Sequence, residues 1–250
     1  SPAITRFTTR DTRALGGIHV CAADNDPQSI EIHFYDEKGI DISTGLEKKV
    51  ERLYFRQEFR RAFFEDIGEI IYPARALEYY LGGLGTALNG TEAPKRRFKV
   101  VADLGMSPAS FVLPSAAGDW GIDLITLRAY VDSEHARIAP DERDSQIGQL
   151  ASSVDMFQAD FGISIDSTAE RISLVTGSGS ILDHDTALHA MIALWCDCQV
   201  PEGTGCNVAV PVTASSVIEQ IAADCGRKVR RTGTSRRALS PASLDPEIGF

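Results

Sequence analysis

The feature that most constrains the fold is a series of short apolar segments separated by segments with helical spacing. Strands are predicted at 97–103, 122–127, 161–165 and 172–176. A loop running into a helix is predicted over 105–117 and a helix over 147–157, between the first three strands. Strand, helix and strand in this order indicate a parallel sheet with helices packed against it. The apolar residues run almost without interruption in these strands, as expected where both faces of a sheet are buried. The sequence therefore predicts an α/β fold.

Similar elements flank this central part on both sides. On the N-terminal side we predict strands at 16–22 and 30–35 and helices over 43–59 and 73–84. The glycine-rich stretch 82–85 is interpreted as the end of the second of these helices. On the C-terminal side a helix, a strand, a helix and a strand are predicted at 187–196, 206–212, 214–225 and 228–231. This repetition predicts tandem three-layer αβα domains with mixed, mostly parallel sheets.

Charge and composition exclude several classes of protein. The chain has 250 residues, a formal net charge of −10 and 43% hydrophobic residues. An acidic surface repels nucleic acid and anionic membranes, and no apolar stretch is long enough to span a bilayer. Five irregularly spaced cysteines and no apolar signal-peptide core favour a cytoplasmic protein. The tail after residue 239 has no periodicity, and we expect the chain to be part of a longer protein.

Three segments carry a resemblance to a known family. Residues 16–35 (GGIHVCAADNDPQSIEIHFY) resemble the pattern G-G-V-x-I-T-A-S-H-N-P-x-x-Y-N-G-x-K-x-Y. Residues 157–171 (FQADFGISIDSTAER) are similar to A-D-x-G-x-A-x-D-G-D-x-D-R, and residues 222–232 to a helix, glycine, strand and threonine. These are patterns of the phosphohexomutases, the phosphomannomutases and phosphoglucomutases. The second segment is the most specific of the three.

The resemblance implies a fold and a domain organisation. Phosphohexomutases consist of four α/β domains around one cleft, and their chemistry is intramolecular phosphoryl transfer on a sugar phosphate. The chain is expected to contain part of the first domain (1–66), the second (67–177) and a truncated third (178–250).

The residues that carry the phosphoryl group in the family are replaced here. The phosphorylated serine falls on Ala23 and the adjacent histidine on Asp24. A methyl group cannot accept a phosphoryl group, because covalent transfer needs a nucleophile. Asp24 and Asp26 also place negative charge beside an incoming phosphate. We therefore expect this chain to have no catalytic residue of its own.

The metal-binding loop of the family is also altered. Where the family has three aspartates that hold Mg²⁺, this chain has Asp166, Thr168 and Glu170. Magnesium requires near-octahedral oxygen ligands. Asp166 and Glu170 are candidate ligands of a weak, degenerate Mg²⁺ site, and the alternative is a solvated turn between two strands.

Three arginines are candidate phosphate-binding residues by the same resemblance. Arg171 ends the altered metal loop, with an ion pair to Asp166 or Glu170 as the alternative, and Arg236 and Arg237 lie where the third domain approaches the sugar phosphate. The five histidines, among them His33, show no spacing typical of metal ligands.

Three functions remain open at this point. The first is a catalytically degenerate binding, regulatory or scaffold module that contacts a sugar phosphate. Such regions resemble the C-terminal part of bacterial mannose-1-phosphate guanylyltransferases, which implies an N-terminal nucleotidyltransferase domain in a parent chain. The second is an active phosphomannomutase or phosphoglucomutase with another phosphoryl acceptor, such as Ser29. The third is a structural unit that forms homo-oligomers and binds no ligand.

Overall fold

A computed structural model describes residues 1–23, 29–57, 61–88, 96–132, 140–197 and 207–250, with only the backbone of residues 140 and 141. Its helices are α1 (Pro2–Asp11), α2 (Thr44–Arg56), α3 (Ala76–Leu88), α4 (Leu113–Asp119), α5 (Pro140–Met156), α6 (His184–Asp197), α7 (Val217–Asp224) and α8 (Arg236–Leu239). Its strands are β1 (Gly17–Ala22), β2 (Ile30–Tyr35), β3 (Lys99–Asp103), β4 (Asp123–Leu127), β5 (Phe161–Ile165), β6 (Ile172–Thr176), β7 (Val208–Pro211) and β8 (Val229–Thr232). Short 3₁₀ helices cover Phe64–Asp66, Pro108–Phe111 and Ser240–Leu244. None of the helices in the described part of the chain combines the length and the apolar character that a membrane span requires.

The central sheet has the strand order β4-β3-β5-β6. Strand β3 pairs in parallel with both β4 and β5, and β6 joins the edge in antiparallel orientation. The predicted α/β fold with a mixed, mostly parallel sheet is therefore confirmed. Because β4 and β5 lie on opposite sides of β3, the carboxyl end of β3 is the switch point where α/β proteins tend to bind ligands.

The core of this unit lies between the sheet and α5. Val101 from β3 and Val175 from β6 pack with Leu150 and Val154 from α5, and all four side chains are at most 1% exposed. Side chains buried on this scale exclude water from a large apolar area, which is the dominant stabilising contribution to a fold. The loops that leave the carboxyl ends of β3 and β5 are therefore held on a rigid base.

Gly105 allows the loop after β3 to pass close to the end of β5. Its φ is +54°, a conformation that favours glycine, and a Cβ atom would lie 2.2 Å from the carbonyl oxygen of Ile165. In the same loop, Asp103 accepts a hydrogen bond from the Gly105 N–H at 3.1 Å. The loop after β3 and the turn after β5 are thus fixed against each other.

The first hairpin, β1 and β2, has two chemically different faces. The antiparallel register pairs His19 with His33 and Cys21 with Glu31. Because side chains alternate across a strand, these four lie on one face. The opposite face carries apolar side chains that are about half to two thirds exposed: Ile18, Val20, Ile30 and Ile32.

The C-terminal unit is a smaller version of the same architecture. Strands β7 and β8 pair in parallel, and α6 and α7 pack against them. Ile192, Val208 and Ile218 are fully buried between these elements. Each of the three predicted ranges thus contains one sheet, while the boundaries themselves stay a prediction.

Two local expectations differ from the structure near the N-terminus. Helix α1 was not predicted, and the glycines at 82–85 lie inside α3 rather than at its end. Tertiary packing accounts for both, because a Cβ atom on Gly83 would lie 2.3 Å from the ring of Phe7 in α1. The ring of Phe7 also packs edge-on against Tyr80, at 5.4 Å between centroids. A glycine on α3 therefore lets α1 dock against it.

Candidate functional site

The loop that would carry the phosphoryl group begins directly after β1. Ala23 is its first residue, and its N–H donates to the carbonyl of Ser29 at 3.1 Å, which closes the base of the loop. The pairing of the two strands thus extends to Ala23 and Ser29, while the side chain at Ala23 is a methyl group. Asp24 and Asp26 lie outside the described residues.

The turn between β5 and β6 is organised around the Asp166 carboxylate. Its Oδ1 accepts the N–H groups of Glu170 at 2.9 Å and Arg171 at 3.1 Å. Its Oδ2 accepts the hydroxyl of Thr168 at 2.8 Å. The carboxylate therefore stabilises its own turn, as Asp side chains commonly do. Arg171 is exposed at the end of the turn, and its binding to phosphate stays a prediction.

Arg236 connects three distant parts of the chain. Its Nη1 donates to Glu170 Oε2 at 2.7 Å, and its Nη2 donates to His33 Nδ1 at 3.0 Å. A carboxylate oxygen of Asp41 lies 3.9 Å from Nη2. Since a guanidinium is only a donor, His33 Nδ1 must be an acceptor. The ring proton of neutral His33 is therefore on Nε2, which lies 3.3 Å from Glu31 Oε2.

Arg237 forms a bidentate pair with Glu47 in the first turn of α2. The two nitrogen–oxygen distances are 2.5 and 2.6 Å. The hydrogen bond from Arg237 lowers the pKa of Glu47, and the same bond raises the pKa of Arg237. Fork-to-fork geometry of this kind is the strongest form of a charged hydrogen bond.

Asp41, after β2, completes the group of carboxylates that face the C-terminal segment. Its side chain is 9% exposed and accepts Arg6 at 2.8 Å and the Ser240 hydroxyl at 3.0 Å. Together with the contacts of Arg236 and Arg237, these bonds attach α1, the end of β2 and α2 to α8. We name Glu31, His33, Asp41, Glu47, Glu170, Arg236 and Arg237 the polar junction.

The oxygen atoms of the degenerate loop are engaged in contacts within the protein. Both Asp166 oxygens accept hydrogen bonds from the turn, and Glu170 is paired with Arg236. Thr168 contributes a hydroxyl that points its proton at Asp166. Magnesium needs several oxygen ligands directed at one point. Binding of Mg²⁺ by Asp166 and Glu170 stays a prediction.

The structure brings the candidate residues together only in part. Glu170 and Arg236 are in direct contact, whereas Arg237 lies with Glu47 on the other side of the junction. His33, Asp41 and Glu47 were not predicted as site residues. The only available signal was that acidic residues follow β2 and begin α2 while two arginines begin α8, and a single sequence does not pair such groups.

An open cavity of about 750 Å³ lies at the carboxyl end of β4, against α5. Arg128 lines it, together with hydroxyl and amide side chains of Thr126, Gln149, Ser152 and Ser153. Arg128 also pairs with the buried Asp103, so its guanidinium is already oriented. Hydroxyl groups around an oriented cation suit a polar ligand.

Comparisons with known proteins agree with this geometry. The sequence model of the family described as phosphoglucomutase/phosphomannomutase, alpha/beta/alpha domain I, matches residues 2–61. A phosphoglucomutase/phosphomannomutase of Thermococcus kodakarensis is 25% identical over 245 residues, which cover 98% of this chain and 52% of the relative. The predicted resemblance to the phosphohexomutase superfamily is therefore confirmed.

Other proteins that are similar to this chain cover it to a similar extent. A phosphoglucosamine mutase of Nautilia profundicola is 26% identical over 256 residues, covering 100% of this chain and 56% of the relative. The crystal structure of a phosphoglucomutase/phosphomannomutase family protein of Burkholderia thailandensis superposes with a TM-score of 0.73 at 15% identity, covering 93% of this chain and 48% of that one. The chain thus spans about half the length of the relatives it matches.

Proposed function

We propose that this chain is a phosphohexomutase-type module that no longer transfers phosphoryl groups. In this proposal it serves as the binding, regulatory or scaffold part of a sugar-1-phosphate nucleotidyltransferase, of the mannose-1-phosphate type. The observation that carries the proposal is the side chain at Ala23. The hydrogen bond from Ala23 to Ser29 continues the pairing of β1 and β2, yet the residue at the phosphorylated position offers no nucleophile.

Two further features support the loss of catalysis. The turn at 166–171 uses Asp166 for its own hydrogen bonds, and it has Thr168 where the family pattern has an aspartate. Arg236 and Arg237, which the family resemblance assigns to phosphate, are held by Glu170 and Glu47. A phosphate would have to displace a carboxylate from each arginine before it could bind there.

The binding role is supported by the cavity at the end of β4. Ser152 and Ser153 donate their hydroxyl protons to carbonyls of α5, which leaves their oxygens as acceptors for ligand hydroxyls. A sugar phosphate presents hydroxyl groups that can donate to these oxygens, while the guanidinium of Arg128 in the same cavity is paired with Asp103. Sugar phosphates are accordingly the ligand class that we propose.

Mutase activity is the first property to measure. The full-length parent is assayed for conversion of hexose 1-phosphate to hexose 6-phosphate with Mg²⁺ and a hexose bisphosphate primer. The Ala23→Ser variant is assayed beside it, with Ala22→Ser as the matched control that adds the same hydroxyl one residue away. We expect no turnover in the parent or in Ala22→Ser. Turnover by the unmodified parent would contradict the proposal.

Binding and the nucleotidyltransferase role are measured separately. A sugar phosphate that binds only the folded chain raises its melting temperature. The free energy of unfolding increases by about 2.7 kcal/mol when the ligand concentration is a hundred times Kd. The parent is also assayed for pyrophosphate release from GTP and mannose 1-phosphate. We expect this activity to be the same in the parent and in Ala23→Ser. Absence of both the thermal shift and pyrophosphate release would leave only a structural role and would refute the binding proposal.

A further inference from the structure

The polar face of the first hairpin brings together side chains that are known metal ligands. Cys21 and Glu31 are opposite each other in the β1–β2 register, and His33 follows Glu31 on the same face. Each offers one ligand atom, and the three atoms lie within 4.8 Å of one another. Cys21 is not in a disulfide. The spacing of these residues in the sequence gives no hint of the cluster, because the strand pairing creates it.

The distances are close to those of a bound metal. Ligand atoms at 2.0–2.3 Å from a tetrahedral ion are about 3.5 Å apart, as follows from zinc bond lengths. Glu31 Oε2 and His33 Nε2 are already 3.3 Å apart. The Cys21 thiol, which lies within 4.8 Å of both, therefore has to approach by about 1.3 Å at most to reach tetrahedral spacing, a change that side-chain rotation can provide. Cys21 and His33 are partly exposed and Glu31 is exposed, so an ion can enter.

The kind of ligand determines the kind of metal. A thiolate and an imidazole are soft or borderline ligands, which Mg²⁺ and Ca²⁺ avoid and Zn²⁺ prefers. The thiolate and the carboxylate together neutralise a divalent charge. We propose that the first hairpin binds a divalent ion of the zinc class through Cys21, Glu31 and His33, with a fourth position left to solvent.

The family pattern makes this combination specific to the present chain. In the pattern that residues 16–35 resemble, the corresponding positions are threonine, glycine and lysine. None of these supplies a thiolate, a carboxylate or an imidazole. All three ligands are thus departures from the pattern, and they lie together on one face of one hairpin.

Metal binding at this site competes with Arg236. In the structure Arg236 donates to His33 Nδ1, which places the ring proton on Nε2. An ion on Nε2 requires the proton on Nδ1, where it would meet the guanidinium. Occupation of the site therefore breaks the bond from Arg236 to His33, while the bond from Arg236 to Glu170 can remain. The metal site and the polar junction are coupled through one imidazole ring.

Cobalt provides a direct spectroscopic test on the full 250-residue chain. Co²⁺ is titrated into the metal-free protein, and the near-ultraviolet charge-transfer absorption of a cobalt–thiolate bond is followed. Zn²⁺ is then added to displace it. We expect the absorption to saturate, to disappear in Cys21→Ser, and to persist in Cys225→Ser, which removes an exposed thiol elsewhere.

Two further variants test Glu31 as a ligand and the competition between the metal ion and Arg236. Glu31→Gln is expected to weaken Co²⁺ binding at least about tenfold, since even loss of an outer-shell partner costs ten- to a hundredfold. Arg236→Gln is expected to tighten binding, because the competing donor is removed. Circular dichroism of the metal-free variants verifies that they are folded. If Cys21→Ser is unfolded, the effect of Glu31→Gln on Co²⁺ binding tests the site instead.

The outcomes that overturn the proposal are equally direct. Absence of thiolate absorption in the unmodified chain, or its persistence in Cys21→Ser, would exclude the site. Unchanged or weaker binding in Arg236→Gln would exclude the competition at His33. None of these results depends on mutase or nucleotidyltransferase activity, so the metal site is decided independently of the function proposed above.

Discussion

Removal of the cation that pairs with the buried Asp103 should destabilise the central unit strongly. Asp103 is 1% exposed, and its carboxylate accepts Arg128 Nε at 2.9 Å as well as the Nη2 group. Arg128→Gln removes both charged bonds and leaves the carboxylate with the N–H of Gly105. A buried charge without its partner has lost most of its solvation and gains little in return.

The size of the effect follows from this burial. Loss of one partner of a buried ion pair typically costs about 3–5 kcal/mol. In a chain of 150–250 residues each kcal/mol lowers the melting temperature by about 2–4 °C, so we expect a decrease of roughly 6–20 °C.

The measurement is thermal and urea unfolding of the full chain, followed by circular dichroism. Arg75→Gln is the matched control, because Arg75 pairs with Glu78 at 3.5 Å with both side chains about 70% exposed. An exposed pair contributes about 0–1 kcal/mol, so this variant should unfold almost as the unmodified chain does. The double variant Asp103→Leu with Arg128→Met should be more stable than Arg128→Gln, because no unpaired charge stays buried.

Two results would refute this reasoning. If Arg128→Gln cost less than about 1 kcal/mol, the pair would behave as an exposed one and the burial argument would be wrong. If the apolar double variant were the least stable of the set, packing rather than the unpaired charge would dominate.

Three other predictions concern the junction and the loops. Arg237 lowers the pKa of Glu47, so the unfolded state binds more protons than the folded state between the folded pKa and the ordinary value of about 4.3. The contribution of Glu47 to the free energy of unfolding is therefore lost as the pH falls through this window. In urea unfolding measured at a series of pH values, Glu47→Gln should reduce the loss of stability at acid pH more than Glu51→Gln does. Thr168→Asp adds a third carboxylate to the 166–170 turn, so its melting temperature should rise on addition of Mg²⁺; an equal rise in the unmodified chain would show that the turn already binds the ion. Gly105→Ala should lose at least about 1 kcal/mol of unfolding free energy because its Cβ would meet the Ile165 carbonyl, and equal stability would refute the close approach.

The central strands could be predicted because their sequence is unambiguous. Val100 and Val101 lie in an apolar run that suits a strand buried on both faces, and the structure places them in β3. Helix α1 could not be predicted in the same way, because its threonines are weak helix formers. Its stability comes from packing against α3, which only the tertiary structure provides.

The residues of the candidate site could be predicted only where they lie in local sequence motifs. Ala23, Asp166 and Glu170 were found because they lie at fixed positions in recognisable loops. The contacts of Arg236 could not be predicted, because its partners His33 and Glu170 are 203 and 66 positions away in the sequence. A single sequence carries no information on which distant charges meet, since each is equally compatible with solvent.

The polar junction also has a consequence for the order of events during synthesis. Strands β1 and β2 are neighbours in the sequence, so they can pair as soon as they leave the ribosome. Their charged partners arrive last: Arg237 and Ser240 reach Glu47 and Asp41 across 190 and 199 positions. A nascent chain in which residues 236–240 have not yet been synthesised therefore presents Glu47 and Glu170 without Arg237 and Arg236. The contacts of residues 236–240 can form only after the hairpin and α2 have been made, and a chain released before residue 236 should lack them.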